Sequence, residues 1–154
     1  MDLQNIVRRI YDQYLQKWST DISLLPKART YTSFKSYNDL DIEKYLTIVN
    51  NINHRNALIR FRCSSHNLMI EEGRFRKIER NNRLCKQCNM NVIEDEFHFL
   101  LVCPTFRQLR CQSLPNYYCH WPTKAKFKSL MTTKQNSTIN KLAKFIYNAF
   151  KLRI

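Results

Sequence analysis

The stretch CKQCNMNVIEDEFHFLLVCP, from Cys85 to Pro104, decides how the rest of the chain is read, because it carries the pattern C-x2-C-x9-H-x4-C on Cys85, Cys88, His98 and Cys103. Two cysteines separated by two residues can turn both sulfurs toward one point in a tight knuckle, where backbone N–H groups hydrogen-bond the thiolates. Soft sulfur together with imidazole selects zinc over calcium or magnesium. Three sulfurs and one nitrogen complete a tetrahedral shell with no position left for water, so the expected cofactor is one structural Zn2+ per chain. Buried free thiols and a core histidine are the alternative; a redox CxxC would need βαβ surroundings that are missing.

Within the same stretch, Glu94, Asp95 and Glu96 place negative charge where a helix would begin, which suits the positive end of its dipole and puts His98 in the first turns. Five residues of α-helix rotate a side chain by roughly 140°, so Cys103 reaches the same ion most easily if the helix ends just before Pro104. Phe97, Phe99, Leu100, Leu101 and Val102 would pack around the ligands.

Working outward, a single glycine and four prolines leave little of the punctuation that β-hairpins need, so the expected fold is mainly α: a small helical domain with an embedded zinc knuckle and little or no β-sheet. The 154 residues, 44% of them apolar, suit one domain. Its parts are an N-terminal helix and connector (1–38), a helical basic segment (39–80), the knuckle (81–104) and C-terminal helices (105–154). The first helix runs over residues 3–18, with Leu3, Ile6, Val7, Ile10, Tyr11, Tyr14, Leu15 and Trp18 on one face, read as core packing. Residues 24–37 read as a loop anchored by Tyr31, Phe34 and Tyr37.

Asp41 is expected to cap a helix carrying Ile42, Tyr45, Leu46 and Val49, and Asn53 one carrying Ala57, Leu58 and Phe61 with Arg55, Arg60 and Arg62 exposed. Ser64 or Ser65 would start a short helix that stops at Gly73 in a left-handed position. Pro104 suits a helix start with Phe106 and Leu109 inward, and Thr123 a cap for Phe127, Leu130 and Met131. The last helix has Ile139, Leu142, Ala143, Ile146, Ala149 and Phe150 as its apolar stripe, opposite Lys141, Lys144, Asn148 and Lys151.

Lys and Arg total 26 against 12 Asp and Glu, a formal net charge of +14 that calls for an anionic partner. RNA or DNA, held through its phosphate backbone, is expected ahead of an anionic membrane surface, because the bases are spread along the chain. Between residues 74 and 86, Arg74, Arg76, Lys77, Arg80, Arg83 and Lys86 face the single acid Glu79, making this the candidate phosphate-contact stretch. Phe75, Tyr117, Tyr118 and Trp121 could stack on bases, although core or rim packing is the plainer reading. Such contacts position a protein without reading sequence.

The N-terminus lacks the apolar run of a signal peptide and no segment approaches the roughly 20 apolar residues of a membrane span. A nuclear or cytoplasmic setting is expected, in which cysteines serve as metal ligands or core thiols rather than disulfides. His66 is read as a partly buried histidine with satisfied hydrogen bonds, or as one that orients a metal ligand. Cys63 and Cys111 are read as core thiols, and Cys119-His120 lacks partners for a second site. Asp39 and Asp41 beside a helix start, and Glu71-Glu72 near His66, do not have the spacing of a hydrolase site.

The runs Phe61-Arg62-Cys63-Ser64-Ser65-His66, Ile70-Glu71-Glu72-Gly73-Arg74, Arg83-Leu84-Cys85-x2-Cys88 and Ile93 through Pro104, with Lys144-Phe145-Ile146 and Ala149 through Arg153, resemble the C-terminal zinc-binding region that follows the reverse transcriptase domain in animal non-LTR (LINE-type) retrotransposon proteins. The resemblance implies handling of the element's RNA or target DNA, metal ligands at Cys85, Cys88, His98 and Cys103, and the element's reverse transcriptase as a further partner. No two aspartates are adjacent and no proline-aspartate pair occurs, so the polymerase and restriction-like endonuclease motifs are absent and no enzyme activity is expected of this chain. Two alternatives stay open: a zinc-stabilised protein-interaction module with an acidic partner, and an accessory fragment of an RNA-directed DNA polymerase.

Overall fold

A computed structural model describes residues 2–35 and 42–153. The fold is helical, and among the described residues the sole β feature is an isolated antiparallel bridge between Leu84 and Ile93. Helix α1 spans Leu3–Leu24, and α2 spans Arg29–Thr32 after a tight turn at Pro26–Ala28. Then come α3 (Lys44–Ile48), α4 (Ile52–Arg62), α5 (Met69–Phe75), α6 (Arg107–Ser113), α7 (Lys124–Met131) and α8 (Asn136–Leu152).

Helix α8 is the hub, packed chiefly against α4, α6 and α3. Ile139, Leu142, Ala143, Ile146 and Ala149 are buried as the stripe requires, and so is Phe145, because helices cover α8 on more than one side. At the centre, Phe99 stacks on Phe150 with ring centroids 4.7 Å apart and meets Phe106 edge-on at 5.0 Å. Phe61 and Phe145 close the aromatic cluster. Pro104 opens a tight turn into α6, and the Thr123 hydroxyl caps α7 by accepting from Lys126 N–H, as read from sequence.

Helix α1 departs from expectation twice. It continues to Leu24, where Thr20 and Ser23 hydroxyls donate to backbone carbonyls one turn back, and it ends because Leu25, before Pro26, is held extended. Its apolar face is not core: Leu3, Ile6, Val7, Ile10, Tyr11 and Tyr14 are all exposed. Periodicity shows which face would favour burial, not whether a neighbour covers it.

Further corrections follow from side-chain geometry. Residues 29–32 are helical rather than loop. The cap expected from Asp41, and the anchor at Tyr37, lie outside the described residues; Tyr45 in α3 and Val49 just after it are buried, whereas Leu46, like Ile42 just before the helix, is exposed. Asn51, not Asn53, caps α4 by accepting from Asn53 and His54 N–H groups at 3.0 and 3.1 Å. Arg62 is buried: it donates to the Met131 carbonyl at 2.6 Å and to Glu43 at 3.1 Å while lying over Phe34 and Tyr45. A guanidinium so surrounded keeps partners for its charge. Cys63 and Cys111, expected inside, are exposed.

Gly73 is a close-approach glycine, not a helix terminator. It lies inside α5, and a Cβ there would sit 2.6 Å from Arg83 Cγ. The left-handed residue that ends α5 is Lys77, with Ile78 N–H reaching back to the Gly73 carbonyl at 2.8 Å. Likewise Ser64, at φ 49°, ends α4 rather than starting α5. In thermal denaturation, Gly73→Ala should destabilise the protein by about 1 kcal/mol or more through overpacking. In an Arg83→Ala background the same change should be neutral or stabilising; equal effects in both backgrounds would contradict the packing account.

Candidate metal centre

Two short backbone segments build the site. Cys85 N–H donates to the Val92 carbonyl and Glu94 N–H to the Arg83 carbonyl, each at 2.9 Å, so the strand-like pieces around Leu84 and Ile93 hold the Cys85–Cys88 knuckle beside the start of the next helix. Asn91, left-handed at φ 53°, makes the turn between them, a conformation asparagine tolerates. Asp95 caps the helix that follows, its Oδ1 accepting from His98 N–H at 2.7 Å.

From His98 to Val102 the chain winds as a π turn, closed by Cys103 N–H donating to the His98 carbonyl at 2.7 Å. An α-helix would point residues five apart in different directions, whereas the wider i to i+5 winding returns Cys103 to the side of His98. Cys103 is extended, as a residue before proline should be, and the helix stops there as expected. Arg110, buried, donates to the Leu100 and Cys103 carbonyls at 2.7 and 2.9 Å and so satisfies the end of the π turn.

The ligand atoms of Cys85, Cys88, His98 and Cys103 all lie within 4.8 Å of one another, with Cys88 Sγ 3.4 Å from His98 Nε2. Metal–sulfur bonds of about 2.3 Å imply a tetrahedron edge of roughly 3.8 Å, so the four groups fit one ion with small adjustments. Cys85, His98 and Cys103 are buried and Cys88 half-buried, which leaves the cluster able to hold a metal ion shielded from water. A hydrogen bond from Cys85, outweighing burial, pulls the Cys103 thiol down to about 3, and the same contact together with burial pushes Cys85 up. A metal ion bound at this point would hold both sulfurs as thiolates.

Glu94 and Glu96, read as helix-dipole charges, instead face inward; Asp95 alone has the capping role. Fully buried Glu94 accepts from Arg153 at 3.0 and 2.8 Å and from Met69 N–H at 2.8 Å, and its Oε1 lies 3.8 Å from Cys85 Sγ. The cluster is thereby tied to the start of α5 and to the residue after α8. Glu96 Oε1 receives Thr30 at 2.6 Å, Arg29 at 3.0 Å, and Ser64 and His66 at 3.2 Å. Burial opposes its ionisation, but His66, Arg29 and Thr30 prevail and bring its pKa down to about 2. His66 therefore holds Glu96; its other ring nitrogen accepts from Leu68 N–H, and neither described bond reaches a metal ligand.

The basic stretch divides. Arg74 is engaged by Glu71, and Arg83 by the Ile78 and Ile70 carbonyls, so both are structural. Arg76, Lys77, Arg80 and Lys86 are exposed, Arg76 in a surface ion pair with Glu72. Among the stacking candidates Tyr118 is buried, Phe75 lies under Lys27 and Arg74, Tyr117 lies under Lys126, and Trp121 stands 85% exposed. Sequence reasoning missed Arg110 and Arg153, whose partners are carbonyls and a carboxylate distant along the chain.

Fold and site together define a small helical protein built on a Cys3His cluster. Compared with protein-family models, curated proteins and solved structures, the chain finds no match in any of the three. No helix among the described residues is long and apolar enough to cross a membrane.

Chelation, or Cys88→Ser, should unfold the region around residues 83–106, read as lost helical circular dichroism and a lower melting temperature. Unchanged spectra and melting after complete metal removal would exclude a structural metal. Arg153→Ala should destabilise by about 3–5 kcal/mol, because Glu94 is left as an unpaired buried carboxylate. Adding Glu94→Gln should recover part of that loss, and a cost no greater than that of a surface arginine would refute the pairing.

Proposed function

We propose that this chain is a zinc-stabilised, non-catalytic nucleic-acid-binding module of the kind its resemblance to the retrotransposon C-terminal region implies. Zinc is the ion that the donor set favours, since three sulfurs and an imidazole form a closed tetrahedral shell with no site for a reacting water. Its part is to hold the knuckle against α5, α6 and the chain end.

The observation that carries the nucleic-acid reading is how the acids are used. Between residues 42 and 153, Glu43, Glu71, Glu72, Glu94, Asp95 and Glu96 are all in ion pairs within the fold, leaving Glu79 as the one acid with no described ion pair. The outer surface of this part is therefore cationic. Such a surface attracts polyanions by releasing their counterions and does so without sequence preference.

A protein-interaction module is favoured by a different feature, the exposed apolar face of α1. Titration separates the two. With Arg76, Lys77, Arg80 and Lys86 as phosphate contacts, log affinity for duplex DNA should fall against log salt with a slope of about −4. Absence of RNA and DNA binding at low salt, with a protein partner retained, would favour the interaction module instead.

A further inference from the structure

Residues of α4, of the turn after it and of the C-terminal half of α8 line an open cleft of about 620 Å³, within the range of roughly 300–1,000 Å³ typical of pockets that hold small organic groups. Its lining is chemically uneven. Asn53, Asn56 and Asn67, all exposed, line it, and none of their side-chain amides makes a described hydrogen bond within the protein. Two rings, Tyr147 and Phe150, come from α8, and two cations, Arg60 and Lys151, also line it. No carboxylate lines it among the described residues.

Both rings already pack on neighbours within the fold. Phe150 stacks on Phe99 at 4.7 Å and on His66 at 6.2 Å, and His66 is pinned by its bond to Glu96. Tyr147 packs against His54 at 5.0 Å and carries the Lys151 ammonium 4.7 Å from its ring centroid. Arg60 makes no described ion pair, in contrast to Arg74 and Arg83, which bond within the fold. A ligand matching this lining is planar and aromatic, carries donors and acceptors on one edge, and bears negative charge nearby. Amides read the edges of bases, aromatic faces stack on them, and cations meet phosphate.

We infer that the α4–α8 cleft receives an unpaired nucleotide of a single-stranded nucleic acid, Tyr147 and Phe150 supplying the stacking surface, the three asparagines the base-edge contacts, and Arg60 and Lys151 the phosphate contacts. This rests on the nucleic-acid reading above and adds to it a site and a strand state. A base inside a duplex is stacked and paired and cannot enter such a cleft. An acidic peptide would call for clustered cations rather than paired rings and amides.

The test uses the full zinc-loaded chain and three labelled probes of one mixed sequence: a single-stranded RNA, a single-stranded DNA and a duplex DNA, each followed by fluorescence anisotropy at fixed salt. Asn56→Ala, at an exposed position of α4, and Tyr147→Leu should each weaken binding of a single strand by about tenfold and leave duplex affinity within about threefold. Zinc content and melting should be unchanged, and Arg76→Ala with Lys77→Ala should weaken single strand and duplex alike. The RNA and DNA arms tell which single strand is taken. A single-stranded probe bearing 5-iodouracil should photocrosslink to peptides containing Tyr147 or Phe150. Wild-type binding with undiminished single-strand affinity in both variants, or with equal loss for duplex, overturns the cleft and leaves the module reading standing. Failure of the wild type to bind all three probes at low salt overturns both.

Discussion

Three sulfurs and one imidazole nitrogen must converge on a common point, and the middle of the chain is arranged to make that possible. The bridge between Leu84 and Ile93 sets the knuckle, the Asp95 cap fixes where the helix starts, and the π turn brings His98 and Cys103 round to the same side. Each is a local device that makes little sense alone. A π turn is an uncommon winding, and its occurrence between two candidate ligands five residues apart is what a shared ion would stabilise.

Around that point the fold is held by buried charge as much as by apolar packing. Glu94 joins the cluster to α5 and to Arg153, while Glu96 joins it to Arg29, Thr30, Ser64 and His66. Buried ion pairs contribute modest net stability, yet breaking one is costly, so they restrict how the pieces dock. The N-terminal segment through α2 and the last residues of the chain are registered against the knuckle by this means, with Phe99 as the apolar centre.

Legibility in the sequence followed the range of the physics. Ligand spacing, the proline stop at 104, the Thr123 cap and the α8 stripe are set by neighbours in sequence, and all are found. Gly73 was misread because one residue type serves both left-handed turns and close approaches, and only the position of Arg83 tells which. Arg62, Glu94 and Glu96 look like surface charges until distant partners arrive, and the face of α1 looks like core although none of the described residues covers it. The cleft between α4 and α8 had no signal at all, since its asparagines and rings lie 80 to 97 positions apart in sequence.

The fold offers a Cys3His cluster able to hold a metal ion, a surface rich in unpaired cations, and a cleft lined by rings and amides. The proposed zinc ion comes first. X-ray absorption at the zinc edge, on protein purified without added chelator and quantified for metal, tests it most directly. The account predicts one zinc per chain in a four-coordinate shell of three sulfurs and one nitrogen, with zinc–sulfur distances of about 2.3 Å. A substoichiometric metal content, or a shell dominated by oxygen, would contradict it.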